Sequence, residues 1–197
     1  MEVLVVSATR QEITPFLEKN ILVDYLITGV GSPACCYHLT KSLAKKKYDL
    51  VIQAGVAGSF NMDIPLGYTV WVQKDFFADI AAIEADQLVS VFEMGLANKK
   101  EWPYTEGWLL NNHPYLQETK LKKVNGITIN TITDNLQITN LYKQKYEAEI
   151  ETMEGAALHF VCLLEKVNFL QLRSISNIVG ERDKLKWKMK EAILNLN

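Results

Sequence analysis

Two glutamates stand among residues that suit them to chemistry. Glu12 follows the apolar run of residues 3–6 and the turn Ser7-Ala8-Thr9, and Glu154 sits in ETMEGAALHFVC, where a polar segment runs into small residues and then an apolar stretch. Beside Gly155, Ala156 and Ala157, the Glu154 carboxylate leaves room for close approach and can accept hydrogen bonds from sugar hydroxyls. Both have plainer readings. Thr9-Arg10-Gln11-Glu12 has capping-box spacing, with Glu12 reaching back to the backbone N–H of Thr9, although Pro15 could instead mark the first helical position after Thr14. Glu154 could simply favour the positive end of the helix that follows it. If the two converge on one pocket, the pair suits N-glycoside chemistry: one carboxylate activates water while the other holds the sugar as positive charge develops.

The elements that must position them alternate. Residues 3–6, 24–28, 49–54 and 68–72 read as buried strands, and residues 33–46 as a helix capped by Ser32 with Pro33 at its first position. Further along, residues 126–133 (GITINTIT) and 169–176 read as strands, and residues 139–146, 155–166 and 186–196 as helices. Residues 92–115 are rich in aromatics and broken by Pro103, Gly107 and Pro114, which fits an ordered excursion or a lid. The pattern predicts one α/β domain over residues 1–197, a three-layer α/β/α arrangement around a mixed, largely parallel sheet. Ligands bind at strand ends in such sheets. Four ends carry informative residues: 9–12, 29–32, 55–58 and 176–177.

Composition removes several partners. The 197 residues hold 21 Lys and Arg against 23 Asp and Glu, a formal charge of −2, so no basic surplus is present for a nucleic acid. No apolar stretch approaches the roughly 18 residues that span a bilayer. The cysteines, Cys35, Cys36 and Cys162, are odd in number and lack zinc spacing, which fits a reducing cytoplasm. GVGSPA has the outline of a dinucleotide fingerprint, but Asp49 precedes the following strand where the fingerprint needs an acidic residue at its end.

Over most of its length the chain resembles the nucleoside phosphorylase and nucleosidase superfamily, in the strand with Glu12, TGVGSPA, DLVIQAGVAGSF, ETMEGAALHFVC and RSISN. Within it the chain is most similar to the futalosine hydrolase family, through FEMGLA, EWPYTEGWLLN, NGITINTIT and above all RSISNIVGERDKLKW. The resemblance implies hydrolysis of the N-glycosidic bond of futalosine, a purine nucleoside, to hypoxanthine and dehypoxanthine futalosine on the way to menaquinone. It implies no cofactor and no metal, and a homodimer or higher homo-oligomer. The alternatives are a methylthioadenosine/S-adenosylhomocysteine or aminofutalosine nucleosidase and, in another class, a non-catalytic purine-nucleoside binding protein.

By the same resemblance Glu12 deprotonates the water, Glu154 binds the ribose 2′ and 3′ hydroxyls, Met153 packs on the ribose, Arg173 lies near the water, and Gly58 lies beside sugar and base. Ser176 and Asn177 fall at the base. Asn177 stands where the methylthioadenosine nucleosidases carry an aspartate, and Val56 where they place a serine. An asparagine amide cannot supply a proton, but its NH₂ donates to N7 and O6 of a 6-oxopurine; it can also pair with adenine. Asp183 is a possible substitute acid. No oxygen-rich phosphate site is evident, which favours hydrolysis over phosphorolysis. For the aryl carboxylate of futalosine, Trp102, Tyr104 or Trp108 and Arg10 are the expected contacts.

Overall fold

The computed structural model describes residues 1–197. In chain order it contains β1 (Val3–Ser7), α1 (Arg10–Glu18), β2 (Asp24–Ile27), α2 (Ser32–Leu43), β3 (Leu50–Ser59), β4 (Thr69–Asp75), the hairpin β5 (Ala81–Glu84) and β6 (Gln87–Ser90), and β7 (Leu109–Leu110). It continues with α3 (Tyr115–Glu118), β8 (Lys123–Thr128), α4 (Leu136–Tyr146), β9 (Ile150–Thr152), α5 (Gly155–Leu164), β10 (Asn168–Ile178), a single 3₁₀ turn (Lys184–Lys186) and α6 (Met189–Leu196). No helix is long and apolar enough to cross a membrane.

The central sheet runs β10-β4-β8-β9-β3-β1-β2, and β10 also pairs with β3. β3 is therefore the branch point. Its first half lies between β1 and β10, both parallel to it, and its last residues pair antiparallel with β9. The path β3-β9-β8-β4-β10 closes into a ring, from which β1 and β2 extend as an open wing. Ala57, Ile64, Val70, Val72, Val124, Ile150 and Ile175 form one apolar cluster of that closed part.

Alternation along the wing builds the layers. Leu4 and Val6 pack with Leu39 of α2 and Leu158, Val161 and Cys162 of α5, while the intervening Val5 packs with Ile13 of α1 and Leu196 of α6. Successive side chains of a strand leave on opposite faces, so one apolar run serves two helical layers. The expected three-layer α/β/α arrangement with a mixed, largely parallel sheet is what the chain adopts.

Four local expectations need correction. β3 does not end at Ala54 but continues through Gly55-Val56-Ala57-Gly58 to Ser59, because these residues keep ladder partners in β10 and β9. The strand expected over residues 126–133 starts earlier and stops at Thr128. The last helix begins at Met189, after the 3₁₀ turn. The hairpin β5–β6 was not anticipated at all. The aromatic excursion is ordered, as Phe92 and Trp108 pack on Phe76 and Tyr104 on Phe92 and Phe160.

A buried polar node joins α5 to the ring. Asp75 is fully buried, with Oδ1 accepting from the Phe76 N–H and Thr128 Oγ1 at 2.9 Å each and Oδ2 from Gln171 Nε2 at 3.1 Å. Thr128 Oγ1 in turn accepts the Ala156 N–H at 2.7 Å in the first turn of α5. A Cβ on Gly155 would lie 2.1 Å from Asp75 Oδ2, so the helix enters here only with glycine. Burial outweighs these hydrogen bonds and pushes the Asp75 carboxyl up to about 6.

A raised folded-state pKa means that the stabilisation is full below the unfolded carboxylate range and is lost as pH rises toward 6. From the size of that shift, Asp75 withdraws about 3 kcal/mol between pH 4 and pH 7. Urea unfolding at pH 5 and pH 7.5 should show lower stability at the higher pH, and Asp75→Asn should remove a measurable part of the difference. Equal slopes in the two proteins would contradict it.

Candidate active site

One cavity of about 310 Å³ opens where the ends of β1, β3, β9 and β10 meet. Its size falls within the range of small-molecule sites. Of the residues expected at a site, Glu12, Val56, Gly58, Met153, Glu154, Ser176 and Asn177 line it. They come from four segments of the chain, and strand ends bring them together.

Glu12 is at once a cap and a site residue. Oε2 accepts from the Thr9 N–H and Thr9 Oγ1 at 2.9 Å each, with Ser7 Oγ 3.2 Å away. Oε1 accepts the Val56 N–H at 3.1 Å. One oxygen therefore anchors the start of α1 while the other is held at the cavity by the small-residue half of β3. The contact from Val56 comes from its backbone, so the absent hydroxyl at that position does not loosen Glu12.

Glu154 occupies the N-cap position of α5, yet its side chain makes no capping bond there. It crosses instead to the loop after β2, where Oε1 accepts the Gly31 N–H at 2.8 Å. Gly31 has φ +91°, a conformation that a side chain would strain. Burial raises the Glu154 carboxyl, with Arg173 and the Gly31 N–H opposing and Glu12 adding to the rise. The next amide, Ser32 N–H, is taken by Asn130 Oδ1 at 3.0 Å. With both amides engaged inside the protein, the GVGSPA turn offers little to a dinucleotide phosphate.

Arg173 is the expected site residue that does not line the cavity. It lies behind Gly55, 1% exposed, with its guanidinium bonded to Gln53 and Nε without a partner. A Cβ on Gly55 would fall 2.2 Å from Arg173 Nη1 and 3.0 Å from Glu12 Oε1. Only a glycine lets the cation lie this close to the floor of the cavity.

At the far side, Ser176 Oγ lies 2.8 Å from Asn177 Oδ1 and Asn177 Nδ2 donates to the Ile178 carbonyl at 3.0 Å. A Cβ on Gly58 would be 3.0 Å from Val179 Cγ2 and 3.3 Å from Asn177 Nδ2, so the absence of a side chain lets both the valine and the amide NH₂ come close to the strand.

The expected contacts for an aryl carboxylate lie elsewhere. Arg10 is exposed over the Tyr25 ring, Trp102 borders a different depression, Tyr104 packs on Phe92 and Phe160, and Trp108 packs on Phe76 and Tyr146. Tyr104 and Trp108 are spent on packing, Trp102 is exposed away from this cavity, and no residue of the excursion lines it, so it is not a lid here. Asp183 caps the 3₁₀ turn through the Leu185 N–H at 3.0 Å and does not line the cavity. In their place the wall holds Arg182 and Trp187, with the guanidinium 5.5 Å from the indole centroid, together with Glu151, Val30, Ile132, Met189 and Ile193. Arg182 and Trp187 belong to RSISNIVGERDKLKW, the segment that was already singled out; nothing in their spacing pointed inward. No cluster of three or more His, Cys, Asp or Glu side chains is placed to hold a metal ion.

Gly55→Ala should cost about 1–3 kcal/mol, the range for forcing atoms into a packed site. Chemical denaturation is the measurement, and a variant as stable as wild type would show that Arg173 moves freely.

No family model matches the chain. A futalosine hydrolase of Thermus thermophilus is 27% identical over 205 residues, covering 96% of this chain and 89% of that protein. Among solved structures, futalosine hydrolase of Helicobacter pylori superposes with a TM-score of 0.79 at 16% identity, covering 100% of this chain and 94% of the other. The 5′-methylthioadenosine/S-adenosylhomocysteine nucleosidase of the same organism, solved with butyl-thio-DADMe-Immucillin-A, also gives 0.79, at 17% identity and with the same coverage. In sequence the chain is thus a relative of the futalosine hydrolases, and its fold is that of a futalosine hydrolase and of a methylthioadenosine/S-adenosylhomocysteine nucleosidase.

Proposed function

We propose that the protein is a purine nucleosidase that hydrolyses futalosine to hypoxanthine and dehypoxanthine futalosine, a step toward menaquinone. The observation that carries the reading is one cavity lined by a capping glutamate with one oxygen held toward it, by a second glutamate free of its helix, and by an asparagine amide beside a glycine. A protein that only stored nucleosides would have no need for the first.

In this reading water beside Glu12 Oε1 gives its proton to that carboxylate as its oxygen attacks the anomeric carbon. The C1′–N9 bond breaks and its electron pair passes into the purine. Positive charge develops on the ribose, whose 2′ and 3′ hydroxyls donate to Glu154, while Met153 supports the sugar face. With one N–H on the Ile178 carbonyl, Asn177 directs its other N–H at N7 and O6 and so stabilises the departing base. Arg173, behind Gly55, keeps positive potential near both glutamates, and Ser176 holds the Asn177 amide in orientation. Arg182 and Trp187 are the cation and the aromatic surface offered to the aryl carboxylate.

The remaining features of this reading are a homo-oligomer and a cytoplasmic location, with residues 1–197 acting as one nucleosidase domain. Val30 and Ile132 line the cavity yet are 56% and 44% exposed, which suits cover by a second copy of the chain. Cys35, Cys36 and Cys162 are all free thiols.

Base release from futalosine, inosine, aminofutalosine and methylthioadenosine, with and without phosphate, tests the assignment. Hypoxanthine should appear from futalosine without phosphate; adenine as the main product, or a phosphate requirement, would defeat it. Glu12→Gln should lower kcat by about 100-fold or more, the scale of general-base catalysis. At pH 8 or above Arg182→Ala should raise KM for futalosine more than that for inosine, and equal effects on both would remove Arg182 from the carboxylate.

A further inference from the structure

We propose that Glu151 reads the N1 position of the purine and, together with Asn177, makes the site selective for 6-oxopurines. The inference rests on the purine nucleosidase reading and assigns a residue outside the set considered above. Three residues form a row across the sheet: Asn177 pairs with Gly58 in the parallel ladder, and Gly58 pairs with Glu151 in the antiparallel one. Paired residues project to the same face, and neighbouring strands lie about 4.8 Å apart. Two polar side chains therefore flank a glycine, roughly 10 Å apart at the backbone, and Val179 Cγ2 lies 3.0 Å from where a Cβ on that glycine would be.

Glu151 is a buried carboxylate with unused capacity. It is 6% exposed, lines the cavity, and its Oε2 has no hydrogen-bond partner. Its neighbour Thr152 points into the Asp75 node through Thr128, 3.2 Å away, as alternation requires. Structural need does not account for Glu151, since burying an unpaired carboxylate is costly.

A 6-oxopurine offers acceptors at N7 and O6 and a donor at N1–H. Adenine offers a donor at N6 and an acceptor at N1. An amide NH₂ on one side and a carboxylate on the other match the first pattern. With adenine the carboxylate would face a lone pair, and buried polar groups left unpaired are what give a site its discrimination.

The same group makes the preference depend on pH. Burial pushes Glu151 up to about 7, with Arg182 pulling it down. The ionisable groups facing it are Arg182, from the segment after β10, and Tyr142 of α4, itself raised by burial. Above pH 7 the carboxylate accepts from N1–H of a 6-oxopurine. Below it, the protonated acid can donate to N1 of an aminopurine.

The test is the ratio of kcat/KM for futalosine over aminofutalosine between pH 6 and pH 8. In wild type the ratio should rise about tenfold or more, following the ionised fraction of one group across two pH units. In Glu151→Gln it should be flat and closer to one, because an amide can present either a donor or an acceptor. Glu151→Asp keeps a titrating carboxyl and should retain the trend with a higher KM, which carries the test if the glutamine variant fails to fold. Calorimetric binding of free hypoxanthine and adenine over the same range needs no turnover. Loss of base release with the pH-dependent binding preference intact would count against hydrolysis and for Glu151. A preference that is independent of pH in wild type, or unchanged in Glu151→Gln, would overturn the proposal.

Discussion

The second half of β3 is the constraint on which the rest of the molecule depends. Gly55, Val56, Ala57 and Gly58 extend the strand beyond the point where its wing partners end, and the two glycines among them let other groups approach the backbone. Arg173 lies behind Gly55, Glu12 accepts from Val56, and Asn177 and Glu151 flank Gly58. Gly58, with Ser59 after it, also supplies the pairing with β9 that closes the sheet into a ring. A larger side chain at Gly55 or Gly58 would fill the site and disturb the ladder together, so fold and site are not separable here.

Around that strand the protein holds several charges out of water. Asp75, Glu151 and Glu154 are all raised by burial, and Arg173 is almost wholly enclosed. Such groups work against stability at neutral pH, because the unfolded chain ionises its carboxyls more readily. Their arrangement is not random. Asp75 has its hydrogen bonds satisfied and ties α5 to the ring, whereas Glu151 retains an unpartnered oxygen at the cavity. The first is explained by the fold, the second by a ligand.

Much of this was legible in the chain. The apolar runs at β1 and β3, the Ser32-Pro33 helix start and the two glutamates could be read from residue type and spacing. Glu12 posed a choice between cap and catalyst that spacing could not resolve, and in the fold one oxygen caps α1 while the other is held at the cavity. Other parts were illegible for definite reasons. Arg10 and Arg182 are both arginines in polar stretches; only the course of the chain after β10 puts one on the cavity and leaves the other over Tyr25. Tyr104 and Trp108 suggested a ligand surface and instead pack on Phe76, Tyr146 and Phe160.

The sequence by itself determined the layered α/β class, the absence of a basic surplus and the identity of the carboxylates, because these follow from composition and from periodicities of two and 3.6 residues. It also carried the likeness to nucleosidases, which lies in short runs of residues. Tertiary structure alone decided which strand ends meet, and so which polar groups share a cavity. Gly58 illustrates the reason: Asn177 and Glu151 are its partners in two different ladders, and register between strands distant in sequence is set by the closing of the sheet, which no local pattern encodes.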